Sequence, residues 1–206
     1  MAIALLLFFS APAVAQDSNF TRCTEISSII LAKEIRSEVS TAYIQKNEKA
    51  ETVYPGLCFT PGTIHSGTVP DKFVTRKALT RFTVCNSSDS NAGIYFFPGF
   101  YFTGIRLYRA VGSTLVALPD SLPDVREKAG YRYFELAPKD SMVIVAELHF
   151  LRTYINKIRP RLVSPAYLSA YIERMHDISK DNDLITYVFC GLLLMMILYS
   201  LSVYFQ

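Results

Sequence analysis

The chain has 206 residues and a net charge of +3, with Lys and Arg dispersed rather than clustered, which argues against nucleic acid as a partner. Half of the residues are hydrophobic and every charged side chain lies between Gln16 and Asp183, so both ends are built for an apolar medium. Three scattered histidines, and the lack of any HxxxH, HExxH, CxxC, GxSxG or glycine-rich phosphate loop, leave no motif for a metal, a cofactor or a catalytic nucleophile, and an enzyme is not the leading expectation.

Met1 to Ala15 reads MAIALLLFFSAPAVA. Its apolar run is too short to span a bilayer, and Ala13-Val14-Ala15 has the small-x-small form of a cleavage signal. A signal peptide is therefore expected over 1–15, without the usual basic residue near its start, and the mature chain would begin at Gln16. Of the cysteines, Cys23, Cys58 and Cys85 would be exported and can form at most one bridge. Cys23 with Cys58 is one candidate pair, spacing alone leaving the pairing open, and Cys85, in the strand-like RFTVC, is read as a small buried hydrophobe. Asn19-Phe20-Thr21 and Asn86-Ser87-Ser88 match the N-glycosylation pattern, which matters only in a eukaryotic secretory pathway.

Ser27 to Lys33 and Glu38 to Gln45 fit either strands or one short helix, and Lys46 to Gly67 reads as irregular connections. Alternation then becomes clear. Leu79 to Cys85 places Phe82 and Val84 on one face and Arg81 and Thr83 on the other. After a polar turn at Asn86 to Asn91, Gly93 to Phe97 is an aromatic strand that Pro98-Gly99 is expected to break. Thr103 to Tyr108 alternates, Val111-Gly112-Ser113 forms a hairpin turn into Thr114 to Leu118, and Tyr131 to Leu136 directs Phe134 and Leu136 inward. Ser141 to Arg152 is the longest run; Met142 to Ala146 is apolar on both faces, as in a central strand, and Glu147 and His149 share a face read as a solvent-exposed strand end.

Short strands separated by turns, with no interleaved helices, predict a mainly β fold: an antiparallel β-sandwich over 16–164, jelly-roll-like by the resemblance given below. A juxtamembrane helix and polar joint follow over 165–183, with Pro165 in the first helical turn and Asp177 to Asp183 as the joint. Residues 184–206 carry no charge, and Leu184 to Phe205 is long enough, at about 1.5 Å per residue, to cross a hydrocarbon core of about 30 Å. A transmembrane helix is expected there.

The order of segments carries a resemblance. RFTVCN (Arg81 to Asn86), YFFPGFYFTGIRLYR (Tyr95 to Arg109), YRYFELAPKDSMVIVAELHF (Tyr131 to Phe150), RPRLVSPAYLSAY (Arg159 to Tyr171) and GLLLMMILYSLSVYF (Gly191 to Phe205) together resemble the bacterial seven-transmembrane receptors with diverse intracellular signalling modules, type-2 extracellular domain. The sequence departs from that pattern in lacking the tryptophan of the first strand motif and holds only the first of seven membrane helices, so a kinase or cyclase output would lie outside it. The resemblance implies a Bacteroidota-like origin, a periplasmic sensor domain on the cytoplasmic (inner) membrane, and a small-molecule or carbohydrate ligand. The bilayer and a second copy in a homodimer are the other expected partners. Exposed aromatics suit such a ligand, and Arg106, Tyr108, Tyr131 and Tyr133, read as outer-face residues, are the candidate ligand-binding side chains. The alternative function is a single-pass membrane-anchored β domain for protein interaction or assembly.

Overall fold

The computed structural model describes residues 23–62, 68–120, 130–151 and 156–205. The expected signal peptide, the Asn19 glycosylation pattern, His65 and the Arg152 end of the long run lie outside the described residues.

Two antiparallel sheets pack face to face. The larger contains β3 (Ser40–Ile44), β4 (Thr60–Pro61), β5 (Lys77–Cys85), β7 (Phe102–Val111), β8 (Thr114–Ala117) and β10 (Ser141–Phe150), in the order β4-β3-β5-β10-β7-β8. The short strand β1 (Thr24–Glu25) joins β5 in parallel. The smaller sheet runs β2 (Ala32–Glu34), β11 (Lys157–Val163), β6 (Ala92–Phe100), β9 (Arg132–Leu136). The expected sandwich is present, with β10 at the centre of its sheet as its two-sided apolar run predicts.

The inner faces interdigitate. Phe82, Ile105, Leu107, Ile144 and Leu148 from the larger sheet meet Ile94, Phe96, Phe134, Leu136 and Leu162 from the smaller. Phe82 and Phe96 stack at 5.1 Å between ring centroids, and both are wholly buried. Burying side chains of this size contributes about 1.5–3 kcal/mol each, so the core is where the alternating pattern turns into stability.

Three expectations change. Pro98-Gly99 does not end its strand: β6 continues to Phe100. The register slips between Ile158 and Arg161 of β11, so Pro98 sits opposite a bulge, where its missing N–H breaks no ladder bond. Gly99 adopts φ +124°, which a side chain would resist. Cys23 pairs with Cys85, not Cys58, because β1 lies beside the end of β5 and brings the two Cα atoms to 5.9 Å; Cys58 is a free, exposed thiol. Asn86, read as part of an open turn, is 1 % exposed, and its amide donates to the carbonyls of Ser90, Leu136 and Ala137, so it is not an accessible glycosylation site.

Segment 46–59 folds over the outer face of the larger sheet, through α1 (Ala50–Val53) and a 3-10 turn at Tyr54–Gly56. There Ala50, Phe59, Val53 and Leu57 form a second apolar layer with Ala42, Ile44, Leu79, Tyr108, Leu115 and Val145. A second short helix, α2 (Asp71–Val74), places Phe73 against Tyr43 in a stack at 4.4 Å. The last element, α3 (Leu168–Tyr204), follows a 3-10 turn at Pro165–Tyr167. It passes without a break through Asp177 to Asp183: the segment read as a joint is helical, and no Gly or Pro interrupts it. Its Leu184–Tyr204 portion is long and apolar enough to cross a membrane, and its side chains are exposed.

Candidate functional site

The four candidate ligand residues do not converge. Arg106 and Tyr108 lie on the outer face of the larger sheet, two positions apart on β7, and Tyr131 and Tyr133 lie on the outer face of the smaller sheet, on the other side of the sandwich. Arg106 is exposed. Tyr108 is on the side that alternation assigns, but segment 46–59 covers it and leaves it 2 % exposed. Tyr131 is buried against Phe97 and Tyr171, and Tyr133 is half-buried against Tyr95 at 5.0 Å. The reading of Tyr108 and Tyr131 as open stacking surfaces is therefore corrected: an outward face meets water only if nothing folds over it.

Around Tyr108 the structure assembles a buried ionic cluster. Glu147 and His149, read as a solvent-facing strand end, share the covered face of β10 with Lys77 of β5. Lys77 Nζ lies 2.7 Å from Glu147 Oε1, His149 Nε2 lies 3.2 Å from the same oxygen, and Tyr108 Oη donates to Glu147 Oε2 at 2.8 Å. Lys77 Nζ also donates to the Glu48 carbonyl at 2.5 Å, tying the cover to the sheet. Burial alone would raise the Glu147 pKa, but the hydrogen bonds from His149, Lys77 and Tyr108 and the Lys77 charge outweigh it and hold the carboxyl at about 2. Burial and the adjoining Glu147 carboxylate push the Tyr108 phenol up. Both carboxylate oxygens are occupied by donors within the protein, and through the Lys77 bond to the Glu48 carbonyl the cluster ties segment 46–59 to the sheet.

The smaller sheet carries a different arrangement. Its outer face presents Tyr95, Phe97, Val163 and Arg161, and Leu168 and Tyr171 of α3 pack onto it together with Tyr131. Phe97 and Tyr131 stack at 4.8 Å, and Tyr171 meets both edge-on at 6.1 and 6.3 Å. Arg161 Nη1 donates to Tyr171 Oη at 2.8 Å, and its other terminal nitrogen lies 3.6 Å from Glu34 Oε2. Burial would lower the Arg161 pKa, but the bond and charge of Tyr171 and the Glu34 carboxylate raise it, so the guanidinium is a fixed cation. Glu34 lines a shallow groove of about 390 Å³ with Arg36, Ser37 and Gly62. A line of contacts thus runs from an open groove to the base of α3.

Sequence reasoning missed Arg161 and Glu34 because β11 was not recognised: its three basic residues and Pro160 mask the core-facing Ile158 and Leu162. It also missed Lys77, which follows Arg76 at the start of β5 and reads as part of a solvated basic pair. Among the described residues no group of three or more His, Cys, Asp or Glu side chains is placed to hold a metal. No family model matches the chain, and no curated protein or solved structure matches it either.

Proposed function

We propose that the β domain is an extracytoplasmic sensing module that passes the state of a small polar ligand to the membrane helix. The observation that carries this reading is the line Glu34–Arg161–Tyr171, which joins the groove to the first turns of α3. A ligand that hydrogen-bonds Glu34 competes for the carboxylate that holds Arg161, and the Arg161 bond to Tyr171 responds. A ligand alters the helix only through such a difference in contacts between two states. The groove's carboxylate, guanidinium and hydroxyl suit a polyhydroxylated ligand such as a carbohydrate. In this reading the domain lies in the periplasm, α3 enters the inner membrane, and the Cys23–Cys85 bridge matches an oxidising compartment.

The test is hydrogen exchange on the full chain in lipid nanodiscs across a glycan and small-molecule panel. A binding ligand is expected to protect the groove and to change exchange over Leu168–Arg174 in the wild type, with the second effect lost in Tyr171→Phe. A ligand that binds and leaves Leu168–Arg174 unchanged rejects the relay.

One observation favours a second reading. Ile30 and Leu31, just before the edge strand β2, are 81 % and 55 % exposed. Apolar side chains beside an open edge suit a protein partner, as a membrane-anchored interaction domain would need. Panel ligands that all fail, together with a membrane protein that co-purifies and is lost in Ile30→Ser, would favour it.

A further inference from the structure

The path of α3 across the smaller sheet sets which end of the domain faces the membrane. Val163 pairs with Tyr95 on β11 and β6, and the 3-10 turn after it packs against β6. Two turns later Tyr171 contacts Phe97 and Tyr131, which lie two residues further along β6 and two residues back along β9. The helix axis therefore advances toward the Phe100 end of β6. That end turns into β7 through Tyr101, the corner where the chain passes from one sheet to the other.

Phe100 and Tyr101 at this corner are 47 % and 49 % exposed. Tyr101 adopts φ +67°, a left-handed conformation that costs an ordinary residue about 1–2 kcal/mol and that glycine would adopt freely. Within the fold, the Leu151 N–H donates to the Tyr101 carbonyl and Phe100 meets Phe97 edge-on at 5.2 Å, which leaves about half of each corner ring facing outward. Lys157, which pairs with Phe100, and Arg159 are exposed on the adjacent stretch of β11. From Phe97 to Tyr101 a strand advances about 13 Å, and from Tyr171 to Leu184 the helix advances about 20 Å. With the two axes taken as parallel and Tyr171 as level with Phe97, the difference is about 7 Å, against a headgroup layer about 5–7 Å deep on each side of the hydrocarbon core.

We infer that the Phe100-Tyr101 corner is a membrane-interface contact, with the two rings entering the headgroup layer of the bilayer that α3 crosses and Lys157 and Arg159 facing lipid phosphates. Tyrosine is enriched at this depth because its ring has an apolar body and a polar tip. The inference rests on Leu184–Tyr204 spanning the membrane and deepens the proposed function: a domain held at two points, helix and corner, has a defined tilt for a ligand to change.

The chain contains no tryptophan, so a single introduced indole is a clean reporter. Full-length Phe100→Trp, Val111→Trp and Leu193→Trp proteins are reconstituted in vesicles of neutral lipid with and without anionic lipid, and quenching by lipids brominated at a shallow acyl position is measured. Val111 is exposed at the opposite end of β7, about 30 Å from the corner at about 3.3 Å per residue. The expected result is that Phe100→Trp shows at least half the quenching of Leu193→Trp and that Val111→Trp shows none. Replacing Lys157 and Arg159 by Gln in the Phe100→Trp background is expected to weaken docking about 5-fold per residue in anionic vesicles and little in neutral ones. Quenching of Leu193→Trp without quenching of Phe100→Trp overturns the corner contact alone and leaves the membrane helix standing. Loss of quenching for Leu193→Trp overturns both. The Tyr101→Gly variant, which removes the second ring and admits the positive φ, separates contact from folding: it is expected to keep a cooperative thermal transition and to reduce quenching of Phe100→Trp.

Discussion

Lys77 and Glu147 meet at 2.7 Å beneath segment 46–59, although their strands present them on a face that alternation alone assigns to solvent. The pair is not isolated: Tyr108 and His149 complete the carboxylate's shell, and the Glu48 carbonyl takes a hydrogen bond from the lysine. A buried pair of this kind is costly to break from one side, because the remaining charge has nowhere to go.

Stability should therefore fall in acid. The folded Glu147 carboxyl sits at about 2 against an ordinary 4.5, so its contribution is complete above about pH 4.5 and is lost as pH falls toward 2. Each tenfold change in proton affinity is worth about 1.4 kcal/mol, which makes that contribution about 3 kcal/mol. Urea midpoints measured from pH 6 to pH 2.5 are expected to show this decline, and Glu147→Gln should flatten it while lowering the plateau.

Single and double replacements should be strongly non-additive. Lys77→Met alone is expected to cost about 3–5 kcal/mol by leaving Glu147 unpaired, and Lys77→Met with Glu147→Leu should recover most of that loss. Additive losses in denaturant melts would mean that the two side chains contribute independently.

The bridge between Cys23 and Cys85 closes a loop of 62 residues, for which chain entropy gives about 4 kcal/mol. Cys23→Ser should lower the unfolding free energy by an amount of that order, and Cys58→Ser should change it by less than about 0.5 kcal/mol. Peptide mapping without reductant is expected to recover residues 23 and 85 in one linked fragment, with Cys58 open to maleimide; a fragment linking Cys58 would contradict the pairing.

Gly93 lies under the ring of Tyr133, and a Cβ there would run into the phenol, with Cζ at 2.6 Å. Gly93→Ala should therefore destabilise by about 1–3 kcal/mol through forced displacement of the ring, and Tyr133→Ala in the same chain should relieve that strain. A thermal-melt double-mutant cycle checks it: a coupling near zero would mean that Tyr133 moves away freely.

Much of the fold is legible from the residues. Phe82 and Val84, Ile105 and Leu107, and Phe134 and Leu136 alternate with polar neighbours, and each pair faces the core as the period requires. What alternation cannot supply is the identity of what covers the other face. Tyr108, Glu147 and His149 are on the face the pattern gives, but their environment depends on a segment some fifty to a hundred residues away that looks polar by itself. The same limit hides Arg161: its value lies in reaching Glu34 from one neighbour strand and Tyr171 from a helix, and neither contact leaves a mark in local periodicity. The Cys23–Cys85 pairing was illegible for a related reason, since it follows from a parallel contact between β1 and β5 that no turn signal announces.

The unbroken course of α3 makes it a lever. Thirty-seven residues give a rod about 55 Å long at about 1.5 Å per residue, clamped at one end by Tyr171 between Phe97 and Tyr131. A rotation of about 5° at that clamp moves the far end sideways by about 5 Å, roughly the rise of one helical turn. Sub-ångström adjustments around Arg161 are thus magnified along α3 by length alone.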